Sequence, residues 1–169
     1  MPFTSLGTRI GSAPIIICGP ILRRVEKNSV TVWFVSKEAL SNVVLDVTDT
    51  SGMVFLSSAA SQTIKLGEFV HALALTATSS SGTILSRGTT YLYDISFGSL
   101  SAQRFSSPGI LAATTAEFQT NFCYPPHNLP SFVLPNEVPN LKIVHGSCRK
   151  PHGGETDAFR GVDTMLEST

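Results

Sequence analysis

The sequence predicts a mainly β protein: an immunoglobulin- or fibronectin III-like β-sandwich over residues 1–100, an extended Pro-rich connector over 101–140, and the first strand, loop and helix of an incomplete α/β domain over 141–169. Three observations carry this expectation. Short alternating segments recur at intervals of roughly 10 to 15 residues with no sustained 3.6-residue period, the pattern of a sandwich. Six of the ten prolines fall within 101–140. The last stretch then runs from an apolar strand through glycines into helical spacing, which is how an α/β domain opens.

Taken in order, "SVTVWFVS" sets Val30, Val32 and Phe34 against Thr31, Trp33 and Val35, and its β-branched and aromatic content makes it a half-buried strand. "NVVLDVTD" alternates Val43, Leu45 and Val47 with Val44, Asp46 and Thr48, after which "TSG" turns the chain. "SGMVFLSS" follows. In "FVHALALTA", Val70, Ala72 and Ala74 face one way and His71, Leu73 and Leu75 the other, until "TSSSG" ends the strand. "TTYLYDISFG" places Tyr91, Tyr93, Ile95 and Phe97 on one face, expected to be core. Cys18 precedes Trp33 by fifteen residues and Cys123 lies beyond the last of these strands, so the bridged antibody-type pattern is disfavoured.

In the connector, proline removes backbone donors and opposes both helix and central strand. Phe118, Phe122, Tyr124, Phe132 and Leu134 nevertheless predict that it lies against a surface. Beyond it, "LKIVHGSC" reads as a short strand ending in a Gly turn. Ala158, Val162, Met165 and Leu166 then recur at helical spacing, with Thr156 or Asp157 able to cap the helix. A βαβ unit needs about 30 residues or more, so this second domain is expected to be incomplete.

Composition narrows the function. Charged residues are 14% of the chain and the net charge is zero, with 12 basic and 12 acidic residues in no long run. Phosphate neutralisation needs clustered cations, so no nucleic-acid surface is expected. Three cysteines leave at least one unpaired and form no disulfide framework, which favours a reducing compartment. "SAPIIICGPIL" is broken by Pro14, Gly19 and Pro20 and makes a poor export signal. The Arg23–Arg24 pair is followed by "VEKNSV" where an apolar core would be needed. No window reaches the roughly 18 apolar residues of a membrane span. The expectation is a cytoplasmic protein with no membrane partner.

The chemistry concentrates in "HGSCRKPHGG", His145 to Gly154. Arg149 and Lys150 beside Cys148 would favour a thiolate, but a cysteine phosphatase needs an arginine six positions after the cysteine, where Gly154 stands. His145, Cys148 and His152 offer nitrogen, sulfur and nitrogen ligands, too few for a closed metal site without others from elsewhere. The plainer alternative is that Cys148 is a small buried apolar residue and the glycines serve a turn. Cys18 and Cys123 read as passive, and His71 as a solvated or satisfied imidazole.

"GPILRRVEKNSVTVWFVSKEA" resembles the first strands of the β-sandwich that precedes the catalytic domain in PhoD-like alkaline phosphatases. "LPSFVLPNEVPNLKIVHGSCRKPHGGETDAF" resembles the connector and first strand-loop of their metallophosphatase domain. The resemblance implies that Cys148 is an iron ligand and that the full-length protein hydrolyses phosphoesters with iron and calcium. The aspartate-rich motifs, with their Asn and His partners, would follow Thr169. The chain itself is then expected to be inactive and to bind neither metal, with the missing catalytic domain as its intramolecular partner. Two other readings stay open: a self-contained β-sandwich interaction module, and a small metal or redox protein centred on Cys148.

Overall fold

The computed structural model describes residues 5–79, 82–99, 103–135 and 162. The chain divides into two units, 1–136 and 137–169. All but Val162 of the described residues belong to the first, a mainly β unit built on one curled antiparallel sheet.

Its elements are α1 (Leu6–Gly11), β1 (Ile16–Val25), β2 (Ser29–Ser36), β3 (Val44–Thr48), β4 (Val54–Ser57), β5 (Ile64–Gly67), β6 (Val70–Thr78), β7 (Thr90–Phe97), β8 (Gln103–Arg104), α2 (Thr115–Phe122) and β9 (Ser131–Val133). The strand order is β1-β2-β6-β4-β3-β7-β8, with β5 added to β6 and β9 to β7, and every pairing is antiparallel. β2 and β6 pair without a break from Ser29↔Thr78 to Ser36↔His71. β4 and β6 meet in one pair, Ser57↔Thr78.

The alternation read in β2 and β3 is the alternation that is buried. Val30, Val32 and Phe34 of β2, with Leu45 and Val47 of β3 and Val43 just before it, are all wholly enclosed. β7 goes further, with every residue from Tyr91 to Phe97 buried. Period-two burial marks a strand covered on one face, and continuous burial one covered on both.

β1 runs through the Gly and Pro of "CGPIL" because it is a sheet edge, where a missing N–H costs little. Its register with β2 shifts between Cys18 and Ile21, and Gly19 takes φ +90° in that bulge.

The stretch expected as an extended connector holds regular structure in its described part. α2 occupies a proline-free window between Pro108 and Pro125. Thr114 caps it by accepting from the Glu117 amide at 3.1 Å, and the Glu117 carboxylate accepts from the Ala113 amide at 2.9 Å. The prolines flank the elements and do not interrupt them. Pro130 precedes β9, and its carbonyl accepts from the Tyr93 amide at 3.0 Å. Phe118, Phe132 and Leu134 are buried as expected, while Phe122 and Tyr124 are exposed.

This segment completes the core. Phe105 fits edge-on between Phe34 of β2, ring centroids 4.9 Å apart, and Phe97 of β7, at 6.1 Å. Phe132 stacks on Tyr91 at 5.9 Å. β8 and β9 occupy the two ends of the β7 edge that β3 leaves free, at Ser96–Phe97 and Thr90–Leu92 respectively. No helix among the described residues is long and apolar enough to cross a membrane.

Candidate functional site

Cys148, with the loop His145–Gly154 and the helix expected after it, lies outside the described residues apart from Val162. Among the described residues, no three His, Cys, Asp or Glu side chains come together as a metal site. Cys18 is exposed and Cys123 buried, and both are free thiols.

The principal buried ionisable cluster centres on Asp94 of β7. Its Oδ1 accepts from the Ile95 amide at 2.8 Å, its Oδ2 accepts from the Ser106 hydroxyl at 2.5 Å, and the Arg104 guanidinium stands 3.9 Å away. Directly across the ladder from Asp94 is Asp46 of β3, whose carboxylate accepts from the Ser57 hydroxyl at 2.7 Å.

Burial pushes the Asp94 carboxyl above the usual carboxylate range, and the hydrogen bonds and Arg104 only partly offset it. Burial, followed by the charge of Asp94, pushes the Cys123 thiol up as well. The Tyr93 hydroxyl is pushed up to about 12, again chiefly by burial. The space between Pro20, Tyr93, Phe105, Phe118 and Pro130 beside this cluster is too tight to admit a water molecule. A raised thiol and an enclosed carboxyl suit neither a nucleophile nor substrate entry. Asp94 acts here as a fastener, tying Arg104–Ser106 to β7 and so seating Phe105 in the core.

His71, expected to be solvated or satisfied, is buried on the inner face of β6, and its Nδ1 has no hydrogen-bond partner among the described residues. Its backbone position explains the burial, because it pairs with Ser36 on one side and Lys65 on the other. Alternation gave its face but not how that face is closed.

The accessible feature is the outer face of β1-β2-β6-β5. One row across it is Cys18, Val35, Ala72 and Ile64, and the next is Ile21, Trp33 and Ala74. Ile64 and Leu66 are 65% and 67% exposed, with Ile21 at 40% and Phe69, at the β5–β6 turn, at 39%. A continuous apolar face of this kind marks an interaction surface more often than scattered exposed leucines do. Period two put Trp33 and Val35 on that face in the sequence. Its width depends on the neighbours in the sheet, which pairing alone fixes.

Neither the protein-family models nor the curated proteins compared with this chain give a match.

Proposed function

We propose that this chain is the non-catalytic N-terminal region of a PhoD-like metal-dependent phosphoesterase: a fibronectin III-like sandwich followed by the first ligand loop of the catalytic domain. The observation that carries the reading is the order of parts. A β unit whose strands sort into β1-β2-β6-β5 and β4-β3-β7 with β8 and β9, joined by one residue pair, is followed in the sequence by "LKIVHGSCRKPHGG". That grouping is what two packed leaves would give, and the core residues drawn from both groups support it.

In this proposal Cys148 holds iron, with calcium and the other ligands supplied elsewhere in the whole protein. The metals would supply Lewis-acid activation of a phosphoester and of the attacking water. The β unit, with its own closed core, takes no part in the chemistry in this proposal.

The test is to read the coding sequence beyond Thr169 and express whatever whole protein it specifies, as wild type and as Cys148→Ser. The proposal expects bound iron, hydrolysis of p-nitrophenyl phosphate, and loss of both by about tenfold or more in the variant. A continuation without Asp, Asn and His ligand motifs, or a variant that keeps its iron, would overturn it.

A second reading, an interaction module, is favoured by the apolar outer face of β1-β2-β6-β5. The two readings are compatible, since a domain beside a catalytic unit can also dock a partner.

A further inference from the structure

We infer that Asp94 and the returning segment Arg104–Ser106 form a proton-controlled latch, held shut on β7 while Asp94 carries a proton and loosened as it ionises. The latch belongs to the β unit alone and is independent of the phosphoesterase proposal.

The contacts around Asp94 favour the protonated form. It is 7% exposed, and a carboxylate so far from water needs donors or a cation close at hand. Two donors reach it, the Ile95 amide at 2.8 Å and the Ser106 hydroxyl at 2.5 Å. The Arg104 guanidinium is less well placed, 3.9 Å away on a half-exposed side chain where water screens it. Antiparallel pairing sets Asp46 of β3 directly across the ladder on the same face, and carboxylates so opposed repel. A protonated Asp94 removes that repulsion and can donate to the Ser106 oxygen, which accepts as well as donates.

The other groups turned toward Asp94 do nothing to hold its charge. Cys123, just after α2, lies near enough for that charge to push its thiol up, and burial keeps the neighbouring Tyr93 hydroxyl protonated. β1 and α2 contribute Pro20 and Phe118. Burial in this setting pushes the Asp94 carboxyl up, the direction the contacts demand.

The element that yields is the shorter cover. β3 is held to β7 by five residue pairs, whereas β8 is two residues long and is supplemented by the Phe105 amide on the Ile95 carbonyl at 2.9 Å. An ionised Asp94 reaches water most readily when Arg104–Ser106 lifts. Phe105 anchors that segment in the core, so ionisation changes how often it lifts and not the resting fold. Because the folded state favours the protonated form, lifting is rarest in acid and grows more frequent as pH rises through the raised folded value.

The experiment follows amide hydrogen exchange in the full 169-residue chain, each rate divided by the unfolded-peptide rate at the same pH. We expect the Phe105 amide to be less protected than the β2–β6 ladder and nearly insensitive to low urea, as local opening requires. Its protection should fall about fivefold or more between about pH 4 and about pH 7. In Asp94→Asn that fall should vanish, and in Arg104→Gln, which removes the compensating cation, it should deepen by about twofold or more. Arg104 is exposed, so the second variant keeps the test open should the first fold poorly. Protection at Phe105 that is flat with pH, an undiminished fall in folded Asp94→Asn, or an unchanged or shallower fall in Arg104→Gln would overturn the inference. So would Phe105 exchange that matches the β2–β6 ladder in rate and urea dependence, since the segment would then open only with the whole unit.

Discussion

Replacing Phe105 by alanine asks whether the segment after β7 is part of the folding unit or an attachment to it. Phe105 is 2% exposed and meets Phe34 and Phe97 edge-on, one from each end of the sheet order. A buried Phe→Ala change costs about 3–5 kcal/mol, the upper end where the site cannot collapse. Collapse is restrained here, because the Phe105 amide is tied to the Ile95 carbonyl at 2.9 Å and Ser106 is tied to Asp94. The expected loss is therefore about 4 kcal/mol, a large share of a typical domain's stability. In urea, with a slope of about 2 kcal/mol per molar, the midpoint falls by about 2 M. Phe122→Ala is the control, since Phe122 is partly exposed and, among the described residues, stacks on Phe118 at 5.7 Å, so it should cost less than about 1 kcal/mol. If Phe105→Ala also costs less than about 1 kcal/mol, or if near-UV and far-UV signals separate, the segment is not part of one cooperative core and the reasoning fails.

Two further perturbations address the sheet edge and the Asp94 fastener. At Gly19, φ is +90° and an added Cβ would lie 2.8 Å from the Trp33 carbonyl oxygen and 3.1 Å from the Phe34 Cα, both backbone atoms. Gly19→Ala should cost about 2–4 kcal/mol in urea unfolding, and a neutral result would refute the bulge geometry. Asp94 has a folded value above its unfolded one, so its stabilisation is complete below the unfolded value of about 3.9 and is lost as pH rises through the raised folded value. Asp94→Asn keeps an acceptor for the Ile95 amide and can donate to Ser106. Relative to this variant, wild type should gain stability as pH falls from 7 toward about 4. A flat or opposite difference in urea midpoints would show that burial does not dominate at Asp94.

Strands β2, β3 and β6 were legible because each has one face in the core, and a face-specific requirement writes itself into the chain with period two. Val30, Val32 and Phe34, or Leu45 and Val47, needed no partner to be recognised. β7 was legible for its aromatic face but not for Asp94 and Ser96, whose burial comes from chain distant in sequence, including Pro20 and the returning Arg104–Ser106. The 103–135 segment was misjudged as extended throughout because proline density was averaged over it. Each proline acts on its own amide and the preceding residue, so the window between Pro108 and Pro125 was free to form α2. Cys148, the candidate metal residue, is a property of the sequence motif alone, since it lies outside the described residues.

By itself, then, the amino-acid sequence determined the β class, the inward faces of the central strands and the concentration of chemistry in His145–Gly154. Those are local or periodic consequences of side-chain type along one strand or loop. The tertiary structure decided that Phe105 and Phe132 complete the core, that Asp94 fastens the returning chain, and that Ile64, Ala72, Val35 and Cys18 form one apolar row. Such features join residues far apart in the chain, and pairing register, which places them side by side, depends on all the strands folding together.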